Sequence, residues 1–174
     1  MTEHRIVTAL FRDRDSAERA YQAVTDRGYV RDDVNLMMSD ATHHRHFGEG
    51  AALAQTELGS KAGQGAGIGG AIGGTLGAIA AAVAAIGTTL AIPGLGLIIA
   101  GPVAAAIAGA GAGAATGGLV GALIGWGIPE ERVQRYESGI KEGGILMAVK
   151  PHNAEDAAYF GRTWENLKGE SVFY

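Results

Sequence analysis

The chain of 174 residues contains no cysteine, which excludes disulfide bonds and thiolate metal sites. Aromatic residues make up only 6% of it, and a formal net charge of −4 gives no electrostatic basis for binding nucleic acid. The first residues, MTEHR, lack the charged and then apolar layout of a signal peptide, so we expect a cytoplasmic protein.

The most informative absence is that of charge in the middle of the chain. Residues 62–129 include no Lys, Arg, Asp or Glu, and all 32 of these side chains lie in the two flanks. The same run of 68 residues holds 20 of the 29 glycines and another 20 alanines. This division predicts the first half of a water-exposed domain (1–40), a polar connector (41–61), an apolar insert (62–128) and the second half of the domain (129–174).

The first flank has the pattern of a βαβ unit. The segment RIVTALF (5–11) predicts a strand, because it is rich in β-branched and large apolar residues. Asp15, with Glu18 three residues later, predicts the N-cap of a helix. Gly28 is placed to end that helix, and VNLMM (34–38) predicts the second strand.

The second flank predicts two helices and two strands. A helix beginning at Pro129 precedes a strand at 145–149, and a helix capped by Asn153 precedes a short closing strand at 171–174. Without the middle of the chain, the order of elements is that of a ferredoxin-like split βαβ domain. The predicted fold class is therefore α+β, with a long insert between the second and third strands.

Two series of glycines recur at every fourth residue of the insert. A four-residue step stays near one face of a helix, so each series forms a groove that another backbone can approach closely. We therefore predict a glycine-zipper helical hairpin whose arms, about 37 Å long each, are long enough to cross a ~30 Å hydrocarbon layer. The first series is Gly65, Gly69, Gly73 and Gly77, and the second is Gly109, Gly113, Gly117, Gly121 and Gly125.

The tip and the base of this hairpin carry the remaining candidate residues. Pro93, Gly94 and Gly96 interrupt any helix and predict the tip, whose lack of charge favours burial in a membrane or in the centre of an assembly. Trp126 stands at the base of the second arm, where it acts either as an interfacial membrane anchor or as part of the core. Lys61 stands at the base of the first arm, from which its ammonium group can extend to lipid headgroups.

No set of residues predicts catalysis, cofactor binding or a metal site. His43, His44 and His46 are close enough in sequence to suggest a transition metal, but we predict a solvated loop there, with a pH-sensitive patch as the milder alternative. The GAGIGG segment (65–70) matches a dinucleotide-binding pattern, but it has neither the preceding strand nor the later acidic residue.

Four pieces of the sequence carry a family resemblance. They are RIVTALFRDRDSAERAYQAV, GYVRDDVNLMMSD, the glycine-rich run, and GIPEERVQRYESGIKEGGILMAV. In this order they resemble the heat-induced general stress protein family of bacteria. The resemblance implies a stress-associated protein with no established catalytic activity, and it transfers no active-site residue.

Three functional hypotheses follow from these patterns. The preferred one is a non-enzymatic stress protein that binds copies of itself through the hairpin, at or in the cytoplasmic membrane, with lipid as a further partner. The first alternative is a soluble homo-oligomeric shell or filament in which the hairpins are buried between subunits. The second alternative is a small-ligand sensor that uses a face of the sheet.

Overall fold

A computed structural model of the protein describes residues 6–46, 89–92, 96–102, 104 and 118–174. In chain order the elements are β1 (Val7–Phe11), α1 (Arg14–Asp26), a 3₁₀ turn (Arg31–Asp33), β2 (Val34–Ser39), α2 (residues 40–46), β3 (Thr89–Ile92), β4 (Leu97–Ala100), α3 (Gly118–Gly125), α4 (Glu130–Lys141), β5 (Ile145–Val149), α5 (Ala154–Asn166) and β6 (Glu170–Phe173). The protein is a mixed α+β fold, as the sequence predicted.

The strands form one sheet in the order β3-β4-β2-β5-β1-β6. All of its neighbouring strands are antiparallel. β5 is central and pairs Leu146 with Leu10 on β1 and with Met37 on β2. The two halves of the chain are therefore held together by the middle of the sheet.

Helices cover the sheet on both faces. α1 and α5 pack with Phe11, Leu36 and Met147 on one face, where Trp164 and Phe160 of α5 are fully buried. α3 and α4 cover the opposite face in a second cluster of buried residues, which includes Leu10, Met37, Leu123, Tyr136, Ile140 and Leu146. Burial on both faces accounts for the mainly apolar sequences of β1, β2 and β5, in which every residue except the half-buried Ser39 is buried.

The ends of the helices lie close to the ends predicted from the sequence. α1 is capped by Asp13 rather than by the predicted Asp15, and the Asp13 Oδ1 atom accepts a 2.8 Å hydrogen bond from the Ser16 N–H. That hydrogen bond lowers the pKa of the Asp13 carboxyl. Asn153 caps α5 as predicted, and Gly28 follows α1 with φ +87°.

The main correction concerns the tip of the insert. A helix-breaking tip between two helical arms was predicted at Pro93, Gly94 and Gly96, but the residues on either side form the hairpin β3–β4, and β4 pairs with β2. Gly96 stands at the turn of this hairpin with φ +60°. Every residue of β4 is buried, so its apolar sequence is that of a core strand. The segment predicted to be the tip is therefore a β-hairpin that belongs to the sheet.

The histidine segment is also different from its prediction. A solvated loop was expected at His43, His44 and His46, but residues 40–46 are helical. The Ser39 hydroxyl caps this helix by accepting a hydrogen bond from the Thr42 N–H, and Thr42 is fully buried. Ser and Thr favour such caps, which is a local signal that the sequence contained.

Candidate self-association surface

Helix α3 presents an apolar face away from the core. Its inner side places Leu123 in the cluster beneath α4, where that side chain is fully buried. Val120 and Ile124, one helical turn apart, are 36% and 47% exposed. Large apolar side chains with this exposure on an uncharged helix mark a candidate contact surface. We define the outer face of α3 by Val120, Gly121 and Ile124.

Gly121 lies between the two exposed side chains. No atom of the described residues lies within 4 Å of the position that a Cβ atom would take there. The glycine is therefore not required for packing within the described part of the domain. In the interior of a helix, glycine lowers the stability of the helix by up to about 1 kcal/mol relative to alanine. An open position of this kind is suited to the close approach of a second helix.

Trp126 follows α3 directly and belongs to the core. It is 3% exposed and packs in the same cluster as Leu123, Ile128 and Val133. Within the described ranges, no acceptor binds its buried indole Nε1 atom. Of the two predicted roles, this position favours core packing over an interfacial membrane anchor.

The structure brings three of the predicted site residues together, since Gly121, Gly125 and Trp126 lie in or directly after α3. Gly96 lies apart from them, in the β3–β4 turn. The other predicted site residues fall outside the described ranges: Lys61, Gly65, Gly69, Gly73, Gly77, Pro93, Gly94, Gly109, Gly113 and Gly117.

The histidines of α2 lie beside other charged groups. The part of the chain that the structure describes contains no group of three or more metal-ligating side chains. His44 Nε2 lies 3.5 Å from Asp40 Oδ1, and the Arg14 guanidinium donates a 2.8 Å hydrogen bond to the His46 carbonyl. Burial lowers the pKa of His43 and of His46, and nearby positive charge from His44 and Arg45 adds to the effect.

These shifts predict the pH dependence of stability. The unfolded chain binds protons at these histidines near pH 6.5, while the folded chain binds them only at lower pH, so stability falls as the pH drops below about 6.5. We expect urea unfolding to require less urea at pH 5.5 than at pH 7.5. The double variant His43→Asn with His46→Asn should reduce that difference, and an unchanged difference would contradict the assignment.

A polar cluster that was not predicted from the sequence joins α1 to α5. Asp156 is only 8% exposed, and it accepts hydrogen bonds of 2.6 Å from Arg27 Nε and 2.7 Å from the Tyr29 hydroxyl. The Tyr29 hydroxyl in turn accepts one from the His152 N–H. The Arg27 hydrogen bond is the main cause that lowers the pKa of Asp156, and burial raises the pKa of Tyr29.

This polar cluster has a structural role. Its carboxylate is paired with the Arg27 guanidinium and with the Tyr29 hydroxyl. The contacts connect residues that are more than 120 positions apart in sequence, across the insert. The only sequence signal was an acidic residue in the first turn of a capped helix, which is common in helices of any function.

A second buried polar pair lies on the opposite face of the sheet. The hydroxyl of Tyr136 is 2.8 Å from the Thr8 hydroxyl and donates a 2.7 Å hydrogen bond to the Ser171 carbonyl. Burial raises the pKa of Tyr136 to about 12. The tyrosine therefore stays protonated at physiological pH and ties α4 to β1 and to the edge strand β6.

The sensor alternative needs an open face of the sheet. α1 and α5 cover one face, α3 and α4 cover the other, and β1, β2, β4 and β5 are buried throughout apart from the half-buried Ser39. In this part of the protein, neither face of the sheet is open to a small ligand.

Two further results concern membrane-spanning helices and similarity to known proteins. Among the helices in the described ranges, none combines the length and the apolar character needed to cross a membrane. Comparison of the chain with protein families, with curated proteins and with solved structures gives no match in any of the three.

Proposed function

We propose that this protein is a non-enzymatic, stress-associated protein that assembles with copies of itself through its uncharged, glycine-rich insert. The observation that carries the proposal is the outer face of α3, where Val120 and Ile124 are exposed beside an open glycine position. The stress association comes from the family resemblance of the sequence. The absence of charge across 62–129 supports a partner surface that is equally apolar.

The proposed architecture is a ferredoxin-like split domain with an insert. β1, α1 and β2 form the first half, and β5, α5 and β6 form the second, which is the order of a split βαβ fold. The spatial order β6-β1-β5-β2 and the antiparallel pairing support this assignment. Between β2 and β5 the chain adds strands β3 and β4 to the β2 edge, and helices α3 and α4 to one face of the sheet.

The surroundings of β4 favour an assembly over insertion of the tip in a membrane. The prediction of a membrane tip relied on the uncharged segment around Pro93, but the residues that follow it are buried in the core of the domain. Lipid remains a second candidate partner, because the outer face of α3 is apolar and uncharged. A flotation gradient separates the two: we expect the protein to stay dense, and flotation with lipid after a high-salt wash would assign the surface to the membrane.

The proposed assembly predicts the effect of Gly121→Leu. A leucine there fills the open position on the outer face of α3, so a second helix can no longer approach closely. We expect sedimentation velocity to show a shift from oligomer to monomer, with the circular dichroism spectrum unchanged.

The matched control is Gln134→Leu, which adds the same side chain at an exposed position of α4. This variant should keep the oligomeric state of the wild-type protein. If Gly121→Leu sediments like the wild type, then α3 is not the contact surface. A monomeric wild-type protein at high concentration would exclude self-association altogether.

A further inference from the structure

The two edge strands of the sheet, β3 and β6, differ in their protection against pairing with another chain. An edge strand presents unpaired backbone N–H and C=O groups, to which a further strand can bind. Proteins commonly block such an edge with a charged residue, a proline or a β-bulge. Comparing the two edges therefore shows which of them is suited to pairing.

The β6 edge is blocked in two ways. Thr8 of β1 pairs with Phe173 and Leu10 pairs with Glu170, so β6 has one residue more than β1 between these pairs and forms a bulge. Ser171 lies in this bulge with φ +51°, and its carbonyl already accepts the hydrogen bond from the Tyr136 hydroxyl. Glu170 adds an exposed negative charge to the same strand.

The β3 edge has none of these devices. Its sequence, TLAI (89–92), contains neither a charged residue nor a proline. All four of its residues pair with β4 in one register, without a bulge. Among the residues that the structure describes, no strand pairs with the outer side of β3. A regular, uncharged edge of this kind is suited to binding another strand.

The distribution of charge favours a second copy of this chain as the partner. The protein has a formal net charge of −4, but all 32 of its charged side chains lie outside residues 62–129. Both β3 and α3 lie inside that run, so a contact between copies through these elements brings no like charges together. Leu123 of α3 is also buried in the same cluster as Leu97 and Ile99 of β4, the strand that pairs with β3.

We propose that β3 pairs in antiparallel orientation with β3 of a second copy, so that the two six-stranded sheets join into one. The inference rests on the proposed self-association and names a backbone contact within it. A two-fold axis perpendicular to the sheet relates the copies, and it places both α3 helices on the same face of the joined sheet. Four residues from each copy are too few to hold two copies together alone, so the pairing acts together with the outer face of α3.

The two-fold symmetry restricts the register of this pairing. Residues directly opposite each other in an antiparallel pair belong to the same face of the sheet, and successive residues alternate between the faces. One residue of β3 must therefore lie opposite the same residue of the second copy. The overlap of the two strands is largest when this residue is Leu90 or Ala91. Only one of the two can take the central position in a given register.

Hydrogen exchange of the wild-type protein tests the pairing without any substitution. Alternate residues of β3 bond to β4, and the N–H groups of the others face the outer edge. Residue-resolved mass spectrometry measures their exchange at a concentration where the protein is assembled and again after dilution. We expect the outward N–H groups to exchange about tenfold more slowly in the assembled protein, as expected for the gain of a hydrogen bond. Equal rates at the two concentrations, whether fast or slow, would overturn the proposal.

Disulfide formation tests the register, because the protein has no native cysteine. Leu90→Cys and Ala91→Cys are prepared separately and oxidised under assembling conditions. The Cα atoms of the central residue lie about 5 Å from each other, whereas those of its neighbour are roughly 8 Å apart, beyond the usual limit of about 7 Å for a disulfide. We therefore expect only one of the two variants to form a covalent dimer.

Glu170→Cys is the matched control, since it places a thiol on the opposite edge strand. This variant should remain uncross-linked under the same conditions. Equal cross-linking of Leu90→Cys and Ala91→Cys, or none in either, would overturn the paired register.

Sedimentation velocity separates this inference from the proposed function. If the wild-type protein is oligomeric but the β3 amides exchange equally fast before and after dilution, self-association stands and only the pairing of β3 is refuted. If the wild-type protein is monomeric at high concentration, both proposals fail.

Discussion

Ile99→Ala should lower the free energy of unfolding by about 2–5 kcal/mol, the usual cost of such a deletion in a packed core. Ile99 lies in β4, is fully buried against the α3–α4 layer, and pairs with Met37 of β2. Equilibrium urea unfolding at a fixed protein concentration measures the effect. Ile99→Val, which removes one methylene, should lower the free energy of unfolding by about 0.5–1.5 kcal/mol. This variant keeps the test usable if the alanine variant does not fold.

Ile124→Ala is the matched control within the same uncharged run. Because Ile124 is 47% exposed, its truncation should change monomer stability by no more than about 0.5 kcal/mol. It should instead weaken the assembly. If Ile99→Ala were as harmless as Ile124→Ala, β4 would not be a core strand, and the apolar segment after Pro93 would again be free to serve as a membrane tip.

Gly101→Ala should destabilise the protein by about 2 kcal/mol or more, because two penalties coincide. Gly101 has φ +114°, a conformation that residues with a Cβ atom rarely adopt. An added Cβ would also lie 2.6 Å from the Val34 carbonyl oxygen and 2.7 Å from Asn35 Oδ1. The first of these atoms belongs to the backbone of β2 and cannot move aside without disturbing the sheet.

Gly121→Ala provides the contrast for this prediction. With open space around it and an ordinary helical backbone, alanine should be neutral or should raise monomer stability by up to about 1 kcal/mol. Thermal unfolding of the two variants at low protein concentration makes the comparison. Equal melting temperatures for the two would mean that Gly101 has neither the positive φ nor the close contact with β2.

The charged flanks were predictable because their patterns are unambiguous. The strands β1, β2 and β5 are short apolar runs bounded by turn residues or by capped helices, and the apolar faces of α1 and α5 recur with helical spacing. The cap of α1 was misplaced by two residues because both Asp13 and Asp15 are good N-cap residues. The side chain that bonds to the Ser16 N–H decides between them, and sequence spacing does not reveal it.

The uncharged run was harder to assign for a physical reason. A short apolar segment such as LIIA (97–100) has the same composition whether it is a buried strand or a buried helix. What makes it a strand is its pairing with β2, about 60 residues earlier in the chain, and that pairing leaves no local signal. The candidate surface was partly predictable, since the four-residue spacing identified Gly121. The exposure of Val120 and Ile124 was not predictable, because it depends on which side of α3 packs against α4.

The uncharged run therefore has at least two roles within one chain. Its central part completes the sheet through β3 and β4, and its last part covers the sheet through Leu123 and Trp126 while presenting the outer face of α3. This division accounts for the residue types involved. Buried positions carry large apolar side chains, whereas the outer face of α3 combines such side chains with a glycine that has no packing role in the described domain.

The most direct test of the account is the accessibility of a cysteine placed at position 124. In Ile124→Cys the new thiol should react slowly with a maleimide at concentrations where the protein is assembled. It should react rapidly after dilution, and also in the double variant that carries Gly121→Leu as well. Gln134→Cys, on the exposed side of α4, should react rapidly under all of these conditions. If the thiol at position 124 reacts as fast as the one at 134 in the concentrated protein, the outer face of α3 is not buried between copies and the proposed function is wrong.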